Sequence, residues 1–208
     1  MNIQVEDWGL IDYAQAYSRQ KKTVDEVITG APARLIFCEH PPVLTLGRMA
    51  HPDSLLFSRE AIQQKGVEVH AIDRGGDVTL HAPGQMVIYV IQDLNKSRRD
   101  LKLYLEKLEQ VTVALLKDFG ILAISLPGKR GVFIGQDKIA SIGIGVRKWV
   151  TYHGLGINVH TDLSLFDLIK PCGLDVRMTS MSQTLGRTVT MSAVREGLIG
   201  QFHKHFQL

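Results

Sequence analysis

Two residues in the sequence have the chemistry and the setting for nucleophilic catalysis. Lys138 begins an apolar, glycine-rich run that continues to Gly145, and an amine in such surroundings either extends to water or serves a site. Cys172 stands between Pro171 and Gly173, which fix the backbone on both sides and favour a presented thiol over a buried one. A cysteine attacks as its thiolate, and a neighbouring cation lowers the pKa of the thiol.

The residues alone leave open which side chain would assist such a thiolate, because Lys138, His81 and His153 are all candidates. They also leave open whether Cys172 is only a small buried side chain, which is the interpretation we give to Cys38 in its apolar segment. The sequence contains no HExxH motif and no His/Cys cluster with ligand spacing, so we predict no metal site. The remaining histidines are interpreted as turn or surface groups: residues 40, 70, 160, 203 and 205.

A second segment, Arg74-Gly-Gly-Asp-Val-Thr-Leu-His81 followed by Pro83-Gly-Gln85, has the pattern of a ligand-binding loop. Paired glycines between strands let the backbone approach a ligand closely and expose its N–H groups. The alternative is a β-bulge with ordinary turn residues. The segment is not a P-loop, because Gly-x4-Gly-Lys is absent, and it is not a dinucleotide fingerprint, because its glycines do not open a helix.

The composition is that of a soluble globular protein near the upper size of one domain, with 208 residues, 45% hydrophobic and 22% charged. Two cysteines cannot form a disulfide framework, which favours a reducing cytoplasm. We find no membrane span and no secretory signal. Basic clusters such as Lys129-Arg130 and Arg147-Lys148 are solvated faces or a rim for an acidic partner, and none alternates with aromatics as in nucleic-acid binding.

Periodicity predicts runs of strands between helices, and therefore an α+β fold with a mixed sheet rather than repeated βαβ units. We predict helices over residues 10–28, over 54–65 after an Asp53 cap, from 101 after an Asp100 cap, briefly at 165–169, and after a Thr190 cap. The predicted strands are 34–39, 43–46, 67–72, 78–81 and 85–91, followed by a meander within 121–160. Residues 1–208 are expected to form one domain, with 180–208 as a candidate small C-terminal subdomain.

Five motifs taken together resemble the lipoyl(octanoyl) transferases, which are octanoyl-[acyl-carrier-protein]:protein N-octanoyltransferases. They occur in family order and span most of the chain: Glu39-His-Pro-Pro-Val-Leu-Thr-Leu-Gly-Arg48, Arg74-Gly-Gly-Asp-Val-Thr-Leu-His-Ala-Pro-Gly-Gln85, Lys138-Ile-Ala-Ser-Ile-Gly143, His153-Gly-Leu-Gly-Ile-Asn158 and Pro171-Cys-Gly-Leu174. The resemblance implies an α+β (α/β) fold, in which a mixed β-sheet with flanking helices resembles the catalytic domain of biotin- and lipoate-protein ligases.

The resemblance also implies a two-step transfer without a cofactor. Cys172 matches the cysteine that takes octanoyl from acyl carrier protein as a thioester, and Lys138 matches the catalytic lysine. The acceptor would be a lysine of a lipoyl domain, in 2-oxoacid dehydrogenase complexes or in the glycine cleavage H protein. His153 would support the site. The positions that match substrate-binding residues are Arg74, Gly75, Gly76, Asp77, Val78, Thr79, Leu80, His81, Ser141, Ile142, Gly143, Gly154, Leu155 and Gly156.

Two other functions are compatible with the same fold. An ATP-dependent lipoate- or biotin-protein ligase binds an acyl-adenylate and needs no cysteine nucleophile, so the Pro-Cys-Gly loop favours the transferase. A non-catalytic module that binds lipoyl domains would keep the cavity glycines but would not need Lys138 and Cys172 together.

Overall fold

The computed structural model describes residues 3–170 and 176–206, in which ten strands form two sheets and five α-helices occur. The strands are β1 (Ile3–Leu10), β2 (Ala33–Glu39), β3 (Val43–Leu46), β4 (Glu68–Ala71), β5 (Val78–His81), β6 (Gln85–Ile91), β7 (Ile124–Leu126), β8 (Lys129–Ile134), β9 (Asp137–Arg147) and β10 (Val150–Asn158). The α-helices are α1 (Tyr13–Ile28), α2 (Arg59–Gln64), α3 (Leu101–Asp118), α4 (Met181–Leu185) and α5 (Met191–Phe206). Within these ranges no helix combines the length and the apolar character needed to cross a bilayer.

The larger sheet has the strand order β1-β2-β6-β10-β9-β8-β7. Its first pair, β1 and β2, is parallel, and every other pair is antiparallel, so the sheet is mixed as predicted. Side chains of β6 alternate between the two faces of the sheet. Ile88 and Val90 pack towards α3 and α5, whereas Val87 and Tyr89 pack towards α1. Both faces are therefore covered, which explains why β6 and β10 are buried along their whole length.

The smaller sheet has the order β4-β3-β5, in which β3 is parallel to β4 and antiparallel to β5. It has its own apolar core, in which Leu44 and Leu80 meet Ile62 of α2 and Phe166 of a 3₁₀ helix at Leu163–Leu168. Since β5 leads through a tight turn at Gly84 into β6, the two sheets are joined at one corner.

Helix α3 begins where its predicted capping residue places it, whereas α1 begins later than predicted. Asp100 accepts a hydrogen bond from the Leu103 amide (2.9 Å), and Leu108 and Leu115 of α3 are buried, whereas Leu101 at its first position is exposed. Burying each such leucine stabilises the fold by about 1.5–3 kcal/mol. In α1, Asp12 caps the helix through the Gln15 amide (3.0 Å), and the helix starts at Tyr13, three residues after the predicted start at residue 10.

The helix predicted after Asp53 begins later than expected. Asp53 lies in a 3₁₀ turn, Pro52–Ser54, and Leu55 then forms a bridge to Ile169. The α-helix starts only at Arg59, where Ser58 accepts a hydrogen bond from the Ala61 amide (3.2 Å). Pairing with a distant segment therefore outweighs a good local capping residue.

Candidate active site

A cavity of about 470 Å³ lies between the two sheets and has the size of a small-molecule site. Nearly all of the residues predicted to bind substrate line it, together with Lys138 and His153. The residues around the cavity are Tyr13, Met49, Arg74, Gly75, Gly76, Asp77, Val78, Thr79, His81, Val87, Tyr89, Leu105, Gly128, Lys129, Arg130, Lys138, Ser141, Ile142, Gly143, Ile144, His153, Gly154, Leu155 and Gly156.

The floor of this cavity consists of small residues on β9 and β10. Gly143 pairs with Gly154, and Ser141 pairs with Gly156, so four positions on one face present little or no side chain. A side chain at Gly154 is excluded by close packing, because an added Cβ would lie 2.2 Å from the Ile88 carbonyl oxygen. These glycines therefore leave room for a ligand above the sheet and also allow close packing within it.

The roof is the segment from Arg74 to Asp77, which connects β4 to β5. The Arg74 guanidinium is buried and donates to the carbonyl oxygen of Thr45 (2.7 Å) and to that of Gly75 (3.0 Å). The Gly75 amide donates to the Ile144 carbonyl oxygen (2.9 Å), which ties the loop to the large sheet. Arg74 thus fixes the backbone of the paired glycines at the cavity.

Lys138 reaches the cavity because β9 contains a bulge. Along β8, Val132 and Phe133 are adjacent, but their partners Ala140 and Lys138 are two residues apart, which leaves Ile139 as an extra residue on β9. Ile139 and Ala140 both pack into the helix-covered core. A bulge re-aims the side chains beyond it, so Lys138 shares the cavity with Ser141, although strict alternation would place it on the opposite face.

The Lys138 side chain is buried, with 3% exposure, and its Nζ lies 5.8 Å from the centre of the Phe133 ring. Space for it is provided by Gly131, which has a φ of +124° and no side chain to meet the lysine. The β8 backbone at Gly131 is held by Glu109 of α3, which accepts hydrogen bonds from the Gly131 amide (3.2 Å) and from Arg130 (2.9 Å). Gly131 and Glu109 therefore position the catalytic candidate, although neither stands in a motif that the sequence analysis singled out.

We expect Gly131→Ala to reduce kcat about 100-fold, because displacement of a reacting group by about 1 Å can cost that much. An added Cβ would lie 2.7 Å from Lys138 Cε and 2.5 Å from the Ala140 carbonyl oxygen. The measurement is kcat for the acyl transfer that the sequence resemblance implies, alongside the melting temperature. Gly135→Ala is the matched control, since Gly135 also has a positive φ, +59°, but an open surrounding. A folded Gly131→Ala variant with wild-type kcat would contradict this role.

Asp73, directly before the glycine loop, joins α1 and β10 beside the cavity residue His153. Its carboxylate accepts hydrogen bonds from Tyr17 (2.7 Å), Tyr152 (2.7 Å) and His153 (3.2 Å), and it also pairs with Lys21. Partial burial alone would raise the pKa of Asp73, but the hydrogen bonds from His153, Lys21 and the tyrosines hold it well below its usual range. Asp73 is therefore ionised and fixes His153 at the site.

His153 has a left-handed backbone, with φ of +58°, which costs a non-glycine residue roughly 1–3 kcal/mol. Its amide donates to Gln20 Oε1 (2.9 Å), and pairing of β10 with β6 begins only at the next residue, Gly154. Burial lowers the pKa of His153 despite the bond to Asp73, so the ring is neutral at pH 7. This side chain is suited to shaping the wall rather than to supplying a cation beside a thiolate.

His81 is also neutral, and its tautomer is fixed by a chain of hydrogen bonds. Gln85 donates through Nε2 to Asn158 Oδ1 (2.9 Å), so its Oε1 faces His81 Nδ1 (2.6 Å) as an acceptor. Asn158 in turn donates to the Thr179 carbonyl oxygen (3.0 Å). Burial, followed by the neighbouring His40, lowers the pKa of His81 to about 3. Of the three side chains considered as the cation beside the thiolate, His81 and His153 are neutral, which leaves Lys138.

One sequence prediction about the site is not tested by the structure, and two are wrong. Cys172 falls in residues 171–175, outside the described residues, so its distance from Lys138 stays a prediction. The described chain resumes beside Lys138, whose amide donates to the Arg177 carbonyl oxygen (2.8 Å). Leu80 does not line the cavity and is fully buried in the core of the small sheet. His40, interpreted as a turn or surface group, is fully buried.

Comparison with known proteins shows which family the chain resembles. The family model described as the lipoyl protein ligase A/B catalytic domain matches residues 12–203. An octanoyltransferase of Syntrophotalea carbinolica is 43% identical, over 96% of this chain and 92% of the relative. An octanoyltransferase of Maridesulfovibrio salexigens is 40% identical, over 96% of this chain and 94% of the relative.

Solved structures share the fold at much lower identity. A bipartite lipoate protein ligase from Thermoplasma acidophilum superposes with a TM-score of 0.75 at 18% identity, covering 100% of this chain and 84% of the other. Biotin protein ligase from Aquifex aeolicus gives a TM-score of 0.55 at 12% identity, covering 99% of this chain and 69% of the other. The predicted fold class is confirmed by these similarities.

Proposed function

Since the chain belongs to the octanoyltransferases within the lipoyl protein ligase A/B catalytic domain family, we propose that Cys172 and Lys138 carry out its transfer of octanoyl groups in protein lipoylation. The donor in this proposal is octanoyl-acyl carrier protein, and the acceptor is a lysine of a lipoyl domain. The chain would act as one catalytic domain in a reducing cytoplasm, which keeps the Cys172 thiol available.

The observation that carries this proposal is the buried Lys138 amine beside a cavity whose floor is formed by glycines. Such a cavity suits an unbranched acyl chain, and the amine lies where the reacting end of that chain would enter. Lys129, on the β7–β8 hairpin, lines the same cavity and gives its rim a positive charge that suits an acidic carrier protein, whereas the neighbouring Arg130 is paired with Glu109. Arg147 is less suited to this docking role, because it pairs with Asp25 of α1.

In the first step, the Cys172 thiolate attacks the thioester carbonyl of the donor, and a carbon–sulfur bond forms to the enzyme. The bond to the carrier sulfur breaks, and the Lys138 ammonium gives its proton to that leaving thiolate. The ammonium also favours the attacking thiolate before the reaction. The products of this step are an octanoyl-enzyme thioester, the free carrier thiol and a neutral Lys138 amine.

In the second step, the neutral amine of the acceptor lysine attacks the enzyme thioester and forms the amide. Lys138 takes the proton from the attacking nitrogen, and the Cys172 thiolate leaves. Lys138 is then an ammonium and Cys172 a thiolate, as at the start, so the cycle is balanced. Because the thioester supplies the driving force, neither step requires ATP.

The test is intact-mass analysis of the purified protein after incubation with octanoyl-acyl carrier protein in the absence of ATP. We expect the mass of one octanoyl group to be added at Cys172 and to be lost when a lipoyl domain is supplied. A parallel sample with octanoate and ATP should show no pyrophosphate exchange. Robust exchange, or an adduct on Cys38, would contradict the proposal and favour a ligase or an unspecific acylation.

A further inference from the structure

The floor of the cavity ends at β6 in the same way along two parallel rows of residues. One row runs from Ser141 through Gly156 to Val87, and the neighbouring row runs from Gly143 through Gly154 to Tyr89. Both rows begin with small residues on β9 and β10 and then meet a larger, buried side chain, valine in one row and tyrosine in the other. Since adjacent strands lie about 4.8 Å apart, the distance from β9 to β6 is about 10 Å, which is comparable with an extended eight-carbon chain.

The wall at the end of these rows is held rigidly from behind. The Tyr89 hydroxyl donates to His40 Nε2 (2.6 Å), and His40 Nδ1 donates to the Ile11 carbonyl oxygen (2.7 Å). Both rings are almost completely buried. Because His40 has one proton to donate and one lone pair to accept with, this chain of bonds satisfies both of its nitrogens. Turning Tyr89 aside for a longer ligand would therefore break its 2.6 Å hydrogen bond to the buried His40 ring.

Other aromatic rings prevent a longer chain from passing over the wall. Tyr13 of α1 lines the cavity and stacks on His81, with ring centres 6.1 Å apart. The edges of these two rings also meet His40, at 5.3 Å and 5.7 Å between ring centres. The cavity is thus closed by packed rings at the side away from β9.

We propose that Val87 and Tyr89 set the acyl chain length that this enzyme accepts, by stopping the methyl end of the chain at β6. This proposal rests on the proposed function, in which the carbonyl carbon lies near Lys138 and the chain extends across the glycine floor. The residues that select eight carbons are then on a central strand, away from the residues that carry out the transfer.

The experiment compares acylation of the enzyme by carrier-bound chains of six, eight, ten and twelve carbons. Val87→Ala lengthens the floor, and we expect its ratio of ten- to eight-carbon kcat/KM to rise roughly tenfold, because one methylene in an apolar pocket can change discrimination by 10- to 200-fold. Val87→Leu shortens the floor and should raise the six- to eight-carbon ratio. Val90→Ala is the matched control, because it removes the same atoms from the same strand on the opposite, helix-covered face.

The outcomes distinguish a failure of the chain-length proposal from a failure of the proposed function. If the wild-type protein transfers octanoyl but both Val87 variants keep its chain-length profile, β6 is not the stop and the proposal is overturned. An equal shift in Val90→Ala would also overturn it, since the effect would then come from general loosening of the fold. If the wild-type protein accepts no chain of any length, the proposed function itself fails.

Discussion

Cys172→Ser is expected to leave no octanoyl-enzyme detectable by mass and to reduce octanoyl transfer on the order of 1,000-fold or more, as for the loss of a catalytic nucleophile. A thiol near a cation is substantially ionised at neutral pH, whereas a serine hydroxyl needs a strong general base to attack. Of the candidate bases at the cavity, His81 is unsuited to this task, because burial lowers its pKa to about 3. The variant should still bind the octanoyl carrier protein, which a pull-down or a fluorescence titration would measure.

The other cysteine provides the matched control. Cys38 is 2% exposed in β2, and burial raises the pKa of its thiol well above the usual value. Cys38→Ala should therefore acylate at the wild-type rate, with at most a loss of stability. If Cys172→Ser retained the adduct while Cys38→Ala lost it, the assignment of the nucleophile would be wrong.

Lys138→Ala is expected to slow both half-reactions by about 10²- to 10⁴-fold, the usual contribution of a positioned general acid or base. Acylation loses its proton donor to the leaving carrier thiol, and transfer loses the acceptor for the proton of the incoming amine. Single-turnover measurements separate the two steps, the first with octanoyl carrier protein alone and the second with preformed octanoyl-enzyme. Lys148→Ala, at the exposed turn between β9 and β10, is the control and should leave both rates unchanged.

Lys138→Arg separates the two roles of the lysine, which are to supply a positive charge and to transfer a proton. An arginine keeps the positive charge but cannot release its proton at any accessible pH. The variant should therefore still lower the pKa of the Cys172 thiol, which titration with a thiol reagent would detect, while failing in proton transfer. If Lys138→Arg carried out the transfer step at the wild-type rate, Lys138 would act only through its charge.

The sequence predicted the parts of the site that depend on residue type. The glycines at 143, 154 and 156 mark the floor, and Lys138 stands out because its neighbours are apolar. What the pattern could not show is how Lys138 comes to face the cavity. A bulge depends on the partner strand, and the extra Ile139 is visible only when β8 is aligned with β9. Alternation within β9 alone would have directed the lysine into the core.

The supporting residues were also hidden, for a different reason. Asp73 contacts residues from α1 and β10 that are far away in sequence, and Glu109 reaches Gly131 across the space between α3 and β8. Such contacts carry no local periodicity. The sequence held a weak signal for Asp73. It directly precedes Arg74 and two glycines, and a carboxylate that becomes buried there needs hydrogen-bond partners.

At the level of the fold, the apolar strands and the three long helices followed their periodicity, whereas elements with little apolar character did not. Strand β1 was not predicted, because it lies at the edge of the sheet and most of its residues are partly or fully exposed. The short helix α4 was not predicted either. Its five residues carry no complete amphipathic turn pattern, and it is defined by the Ser180 cap, which accepts from the Gln183 amide (3.2 Å).

The glycine floor has a consequence for turnover. Ordering a side chain at a binding surface costs about 0.5–1.5 kcal/mol of entropy for each rotamer-rich group, and a glycine has no rotamers to lose. In the proposed mechanism, Gly143, Gly154 and Gly156 would therefore present the same surface to an incoming acyl chain, to the enzyme-bound thioester and to the departing amide. No part of this floor needs to reorganise between the two half-reactions, so the enzyme can exchange a carrier protein for an acceptor domain without first remaking the place where the acyl chain lies.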